Sequence, residues 1–381
     1  MTALPALAGF AADDWASLNG ASRRQGAAYN PFVSHAFLSA LEESGSIGGR
    51  SGWSPLHLRL DDASGGLLAA VPCYVKDHSQ GEYVFDHGWA DAYARAGGAY
   101  YPKLQVAVPF TPATGPRLLA RADAPAATRA MLARGLEALA GQTQASSAHA
   151  TFLDDIDRAA FADAGWLART DQQFHFANPG YRDYGDFLST LASRKRKALK
   201  KERDAARHGV DIAWLTGKEL TEAVWDDFFA FYMDTGSRKW GRPYLNRRFF
   251  SLIGATMADD ILLVVARRDG RAIAGALNFI GGEALYGRYW GAVEDRPFLH
   301  FELCYHQAID FALDKGLKRV EAGAQGEHKL ARGYLPVTTH SAHFIAHPGL
   351  RDAVARYLVH EREQIAEIGE ALASQGPYRK A

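Results

Sequence analysis

Runs of apolar residues separated by short polar turns predict one β-hairpin in each half of the chain. In the first half, apolar segments at 55–60 and 67–75 flank a turn rich in Asp, Ser and Gly. In the second half, segments at 261–266 and 272–280 flank the turn Arg-Arg-Asp-Gly-Arg. Short apolar runs around a polar turn that contains Gly are typical of antiparallel strand pairs.

The segments that follow the two hairpins also resemble each other. An aromatic-rich stretch follows each hairpin, at 83–89 and at 285–290. Each half then continues with a helical pattern and a further strand, expected near 148–153 and 319–323. A repeated order of this kind predicts an α/β (α+β) fold of two units of one design, with mixed central sheets flanked by helices.

The first unit is predicted to span 1–180 and the second 181–381, and helices are expected at both ends of the second. Apolar residues recur at helical spacing over 186–208, and Gly209 is a typical residue to end a helix. The middle of this helix is rich in Lys and Arg and contains a single acid. The region 350–373 has the pattern of a closing amphipathic helix.

Composition narrows the classes of function. Lysine plus arginine equals aspartate plus glutamate, 43 against 43, so the chain as a whole has no field that attracts nucleic acid or a membrane. Cys73 and Cys304 form no disulfide or metal-binding pattern, which suits a reducing cytosol. The chain shows no basic leader and no apolar run of membrane-spanning length. We expect a cytoplasmic protein without a metal site, and peripheral association with the inner membrane stays open.

The stretch 320–334 carries the densest set of reactive side chains. A short apolar strand leads into Gly and Ala residues, which let the backbone approach a ligand closely. Glu327, His328, Lys329 and Arg332 follow within six positions. A carboxylate, an imidazole and two cations can move protons or hold an anion. The plain alternative is a set of solvated ion pairs beside a helix start, and we favour a functional site.

Five motifs and the order of elements indicate a family. The motifs are Ser193-Arg-Lys-Arg-Lys197, Lys239-Trp-Gly241, Tyr244-Leu-Asn246, Phe301-Glu-Leu-Cys-Tyr305 and Glu321-Ala-Gly-Ala-Gln-Gly-Glu-His-Lys329. The second unit is expected to run helix, helix, strand, strand, strand, helix, strand, helix, strand, which resembles the acyl-CoA N-acyltransferase (GNAT) fold. Nearly the whole chain resembles the FemAB-like proteins, which pair two such units, and in particular the proteobacterial group labelled as N-acyltransferases or peptidoglycan-biosynthesis proteins.

The resemblance implies transfer of an acyl group from an acyl thioester to a primary amine of a lipid or of the cell envelope. Acyl-CoA is the expected co-substrate, and no tightly bound cofactor is expected. The amine would lose its proton to Glu327 or His328, with Glu321 as a rival base. Contacts with the donor are assigned to Arg288, His300, Phe301, Lys329, Arg332, Arg194 and Arg196. Contacts with the acceptor are assigned to Lys239, Trp240, Tyr244, Asn246, Tyr289, His87 and Tyr101.

One departure from the family concerns the phosphates of the donor. The family's Gly-rich turn is replaced here by 294–302, which contains no glycine. Backbone N–H groups at the start of the following helix are then the expected phosphate contacts. Two alternatives stay open: an aminoacyl-tRNA-dependent transferase that acts on a peptidoglycan precursor, and a non-catalytic binding protein. The basic run is equally well explained as a solvated helix face, and Cys304 is more simply a packing residue than a nucleophile.

Overall fold

A computed structural model describes residues 1–238, 243–323 and 326–379. Its helices are α1 (Ala12–Ala16), α2 (His35–Glu43), α3 (His87–Arg95), α4 (Thr128–Gln142), α5 (Asp155–Asp163), α6 (Tyr184–Ser189), α7 (Ser193–Arg207), α8 (Glu222–Arg238), α9 (Arg247–Thr256), α10 (Leu299–Phe301), α11 (Gln307–Asp314) and α12 (Pro348–Ser374). Its strands are β1 (Thr2–Leu4), β2 (Trp53–Pro55), β3 (His57–Asp61), β4 (Leu67–Val71), β5 (Cys73–Lys76), β6 (Lys103–Val106), β7 (Leu119–Ala120), β8 (Ser147–Thr151), β9 (Leu167–Ala177), β10 (Asp211–Leu215), β11 (Ile261–Arg268), β12 (Arg271–Ile280), β13 (Ala284–Ala292), β14 (Arg319–Glu321) and β15 (Leu335–Ile345).

Contacts within the chain divide it into two units, each built from two segments. The N-terminal unit comprises Met1–Gln172 and Thr338–Ile368, and the C-terminal unit comprises Gln173–Val337 and Gly369–Ala381. This division differs from the contiguous halves expected from the sequence, because most of β15 and much of α12 belong to the N-terminal unit. The chain returns to the N-terminal unit through β15, which pairs with β8. Local sequence patterns do not indicate a pairing between strands so far apart in the chain.

Two sheets form the N-terminal unit. β1, β3, β4 and β7 pair antiparallel in this order. A mixed sheet follows the order β15, β8, β6, β5, β2, with a parallel pair between β6 and β8. The predicted first hairpin is confirmed as β3 and β4, but its second strand is shorter than expected. Pro72 has no N–H group for the ladder, and beyond it β5 pairs with strands of the other sheet.

One sheet crosses the C-terminal unit in the order β10, β11, β12, β13, β14, β9. The predicted second hairpin is confirmed as β11 and β12, and the aromatic segment forms β13. β13 and β14 are parallel neighbours, and the other pairs are antiparallel. α10, a π-helical turn over Glu302–His306 and α11 form one helix, whose buried Leu303 and Ile309 share a hydrophobic core with Val320 of β14.

The helix predicted over 186–208 is interrupted. α6 ends at Ser189 and α7 begins at Ser193, because Leu191 is fully buried in the core and bridges to Tyr378. Gly209 follows α7 with a φ of 63°, as expected for a residue that ends a helix. The closing helix is confirmed as α12. No helix in the described ranges is both long and apolar enough to cross a membrane.

Candidate active site

A pocket of about 110 Å³ lies in the C-terminal unit where β13 and β14 stop pairing. Their parallel ladder ends at Tyr286 and Glu321. The register between β12 and β13 also shifts here and leaves Arg288 as an extra residue. Such bulges redirect side chains and are frequent beside active sites. The polar side chains that line the pocket are Asn278, Arg288, Tyr289, His300, Cys304 and Tyr305.

Three of these residues come from one helix, which is distorted where they lie. The π-helical turn over Glu302–His306 separates α10 from α11. In a regular α-helix, two residues five positions apart point about 140° away from each other. In this helix the rings of His300 and Tyr305 lie close together, with centroids 5.5 Å apart. Single π-turns are frequent at functional sites, and this one adds Tyr305 to the pocket wall.

Tyr305 and His328 form a hydrogen-bonded pair beside the pocket. The Tyr305 hydroxyl lies 3.0 Å from His328 Nε2. Tyr305 is buried, whereas His328 is exposed. Burial raises the pKa of Tyr305 well above its ordinary value, so the phenol keeps its proton at neutral pH. The pair therefore joins a buried proton donor to an imidazole that solvent can reach.

Lys329 was expected to bind the donor, but its ammonium group is tied to the backbone. Nζ donates hydrogen bonds to the carbonyl oxygens of Ala322, at 2.7 Å, and Gly323, at 2.9 Å. The residue is 3% exposed. Because Ala322 lines the pocket, Lys329 holds the chain that forms the pocket wall after β14.

Burial lowers the pKa of Lys329 to about 8, and this predicts a pH-dependent stability. Between pH 8 and the ordinary value of 10.5, the unfolded chain holds a proton that the folded chain has lost. The stability of the natural protein should therefore rise with pH relative to Lys329→Met, by up to about 3 kcal/mol over this window. Urea unfolding of both proteins at pH 7, 8, 9 and 10 measures the difference. A difference that does not change with pH would contradict a titrating buried amine.

Glu321, the rival base, is buried at the end of β14 on the sheet face opposite Val320. Its Oε1 accepts a hydrogen bond from Arg319 Nε at 2.9 Å. Its Oε2 accepts no hydrogen bond in the described structure and lies 3.8 Å from His175 Nε2. Burial lowers the pKa of His175, so this imidazole is neutral at pH 7. Neither Glu321 nor His328 lines the pocket, but His328 is hydrogen-bonded to Tyr305, which does, and this geometry favours His328 as the base.

Arg332 was also expected to bind the donor, but its side chain is buried within the protein. Its guanidinium donates to both carboxylate oxygens of Glu202, at 2.8 and 2.6 Å, and to the His328 carbonyl at 2.6 Å. The guanidinium carbon lies 3.5 Å from the centre of the Phe301 ring. His306 hydrogen-bonds to the same carboxylate at 2.9 Å. Arg332 and Phe301 therefore support the loop that carries His328, and the assignment of Arg332 to a donor phosphate does not fit these contacts.

Three other predicted contacts lie at the pocket, and one has a different role. Arg288, Tyr289 and His300 line the pocket. Asn246 instead begins α9 as its N-cap, because its side chain accepts a hydrogen bond from the Phe249 N–H at 3.1 Å.

The remaining predictions for the C-terminal unit concern its surface. Tyr244 is 41% exposed in the segment before α9. Arg194 and Arg196 lie on α7 and do not line the pocket. Outside the described residues and side chains lie Lys239, Trp240 and the side chain of Glu327.

The two predicted contacts in the N-terminal unit lie close to a buried polar network. His87 begins α3 and is exposed, with its ring stacked on that of Phe85. The Tyr101 hydroxyl lies 2.8 Å from Ser79 Oγ, which also accepts a hydrogen bond from the buried Lys103. Lys103 in turn donates to two buried carboxylates, those of Glu82, at 2.7 Å, and Asp86, at 2.5 Å.

Side chains suited to metal binding are not grouped in the described part of the chain. No set of three or more His, Cys, Asp or Glu residues there could hold a metal ion. In the N-terminal unit, His149 and His343 lie on paired strands with their Nδ1 atoms 2.7 Å apart, a distance that fits one imidazole donating to the other.

Comparison with known proteins gives one family match over almost the whole chain. A FemAB-like family model, described as peptidoglycan biosynthesis/recognition, matches residues 6–380. This match confirms the resemblance drawn from the sequence motifs. No curated protein matches the chain.

Solved structures with a similar fold include FemX, with a TM-score of 0.54 and 10% identity over 93% of this chain and 100% of that one. The C-terminal domain of a putative lysylphosphatidylglycerol synthetase from Agrobacterium fabrum has a TM-score of 0.52 and 11% identity, over 85% of this chain and 89% of that one. L-PGS from Bacillus licheniformis has a TM-score of 0.50 and 10% identity, over 84% and 95%. At these identities the likeness concerns the fold alone, and the predicted α/β class is confirmed.

Proposed function

Because the chain belongs to the FemAB-like family, we propose that it is a transferase that moves an acyl group from an activated donor to a primary amine. One observation carries the proposal: Tyr305, which lines the pocket beside β13 and β14, is hydrogen-bonded to the exposed His328. A phenol that keeps its proton and an accessible imidazole supply the two proton transfers that amide formation from an amine requires.

In the proposed reaction, the amine nitrogen attacks the carbonyl carbon of the donor. The bond from that carbon to the sulfur or oxygen of the leaving group breaks. His328 takes a proton from the amine, and Tyr305 gives its proton to the leaving atom. Tyr305 then recovers a proton from His328 along their hydrogen bond. The sum is one amide and one protonated leaving group, with both residues returned to their starting states.

Arg288 stabilises the charge that develops during this reaction, and Lys329 supports the pocket wall. Arg288 lies at the bulge of β13 and lines the pocket, where a guanidinium stabilises an oxyanion on the donor carbonyl. Lys329 acts at a distance, because it fixes the carbonyl groups of Ala322 and Gly323 and so keeps the pocket wall in place.

Acyl-CoA is the first donor to test, with the full chain and a panel of primary amines. We expect release of free thiol that requires both the acyl-CoA and an amine, and an equal amount of N-acylated product by mass spectrometry. If no acyl-CoA in the panel gives thiol release or a thermal shift, acyl-CoA is excluded as the donor. The acceptors tested should include free amines and amine-bearing lipids, since the pocket does not distinguish them.

A second donor, an aminoacyl ester of tRNA, is favoured by the acids near the start of α10. Glu294 and Asp295 line a second pocket of about 210 Å³ together with Arg296 and His300. Glu294 is an ion-pair partner of Arg268, at 2.9 Å, and of Arg271. Asp295 forms no ion pair in the described part of the chain, so its carboxylate is the charge here that repels the diphosphate of CoA, and the guanidinium of Arg296 beside it is bonded to the His208 carbonyl. An aminoacyl ester carries its activated carbonyl on a ribose, so it places no diphosphate beside these two acids.

The two donors are distinguished by following the acyl group. Aminoacyl-tRNA with a labelled amino acid, incubated with the same amines, should lose its label to the amine if this donor is used. Transfer from aminoacyl-tRNA without transfer from acyl-CoA would assign the aminoacyl reaction. If pure folded protein transfers from neither donor, the remaining function is that of a non-catalytic binding protein.

A further inference from the structure

The outer face of α7 carries a stripe of cations that the transfer reaction does not use. Arg194, Lys197, Lys200 and Lys201 are exposed and, at 100° per residue, fall within an arc of about 120°. The opposite face of the helix is buried through Leu199, Arg203 and Ala206. The stripe therefore lies on one side of α7, and it is about 10 Å long.

One exposed acid, Asp204, lies within the arc of the stripe, one turn after Lys200 and Lys201, and it leaves the four cations in excess. The four cations of the stripe, with Lys195 and Arg196 beside them, form none of the ion pairs found there. The first turn of α7 contains no acid, and Ala192 provides no side-chain cap. Cations near a helix N-terminus oppose the helix dipole, and like charges three or four positions apart repel one another. A helix with this arrangement gains stability when an anionic partner covers its outer face.

The inner face of the same helix holds the active-site loop. Glu202 accepts two hydrogen bonds from Arg332, and Arg332 donates a third to the carbonyl of His328. Arg203 and Arg207 fix α7 to the buried Glu302. A partner bound to the outer face of α7 is therefore held in a fixed orientation to the loop that carries His328.

We propose that the stripe on α7 docks the protein on the surface of an anionic lipid bilayer. Four to eight Lys and Arg residues on one helix are typical of binding to anionic lipid headgroups. RNA is a poorer fit for two reasons. The chain has 43 basic and 43 acidic residues, without the excess of positive charge typical of RNA-binding domains. The segment 193–207 also has no aromatic side chain on which a base could stack. The proposal does not depend on which acyl donor is used.

Vesicle sedimentation of the full chain tests the proposal. Vesicles of phosphatidylcholine with about a third phosphatidylglycerol should bind the protein at low salt, and pure phosphatidylcholine vesicles should not. The triple variant Arg194→Gln, Lys197→Gln, Lys201→Gln should bind about a hundredfold more weakly, since each cation near an anionic leaflet contributes roughly a factor of five. Raising the salt should weaken binding of the natural protein, because the attraction is electrostatic.

A variant with the same loss of charge elsewhere is the control. Arg95→Gln, Arg134→Gln, Arg356→Gln removes three exposed cations of the N-terminal unit and should bind vesicles like the natural protein. Equal weakening by both triple variants would mean that net charge alone drives binding, and would overturn the proposal. Absence of vesicle binding would also overturn the proposal. The same holds if the α7 variant still binds vesicles but loses binding to bulk tRNA. Circular dichroism of both variants shows whether each is folded.

Discussion

Tyr305→Phe is expected to lower kcat by about a hundredfold and to leave KM nearly unchanged, because it removes a proton donor and keeps the ring that shapes the pocket. The substitution removes the hydroxyl that lies 3.0 Å from His328 Nε2. The leaving atom would then depart without its proton. The measurement is steady-state transfer with whichever donor proves active, at several amine concentrations.

The chain offers a matched control for this experiment. The Tyr184 hydroxyl also hydrogen-bonds to an imidazole, His306 Nδ1, at 2.6 Å. Neither of these residues lines the pocket. Tyr184→Phe should therefore keep kcat within about threefold of the natural protein while it loses a comparable hydrogen bond. Equal losses in the two variants would mean that Tyr305 acts through stability, and an unchanged kcat in Tyr305→Phe would exclude it as the proton donor.

Glu302→Ala is expected to reduce the free energy of unfolding by about 3–5 kcal/mol, because it leaves a buried cation with less of its partner charge. Glu302 is fully buried and accepts hydrogen bonds from Arg203, at 3.1 and 3.0 Å, and from Arg207, at 2.8 Å. Gln307 donates a further one at 2.7 Å. Equilibrium unfolding in urea measures the loss. The residue lies in the π-helical turn, so this network also holds the turn that places Tyr305.

A surface ion pair serves as the comparison for Glu302. Asp226, whose side chain is 72% exposed, accepts a hydrogen bond from Arg247 at 2.8 Å. Asp226→Ala should cost no more than about 1 kcal/mol, since exposed pairs are screened by water and salt. If Glu302→Ala costs as little as Asp226→Ala, the buried network is not what holds α7 on the π-helical turn.

The local part of this fold could be predicted from the sequence, because it rests on local patterns. Both hairpins and the closing helix were predicted from apolar periodicity and turn residues, and α7 ends before Gly209 as expected. The errors have physical causes at single residues. Pro72 splits the second strand of the first hairpin between two sheets, and the buried Leu191 interrupts the basic helix.

The candidate site was harder to predict, because its contacts join residues far apart in the chain. Tyr305 was missed as a functional residue, since helical spacing places it away from His300 and the π-turn has no simple sequence signal. Arg332 was assigned to the donor, yet its partner Glu202 lies 130 residues earlier. A usable signal existed in this case: Glu202 is the single acid within the basic run 194–203, which is typical of a residue with an internal partner.

The central claim is that acyl transfer takes place in the pocket beside β13 and β14, and a thiol reagent tests it most directly. Cys304 lines this pocket and is partly exposed. Cys73 is fully buried, and burial raises its pKa to about 12, so it should not react and serves as an internal control.

The measurement is the rate of amide formation as N-ethylmaleimide labels the native protein, with labelling of each cysteine followed by mass spectrometry. We predict that the rate falls in step with labelling of Cys304, that donor and amine slow this labelling, and that Cys304→Ser is active and insensitive to the reagent. Amide formation at an undiminished rate by protein fully labelled at Cys304 would contradict the assignment of the reaction to this pocket.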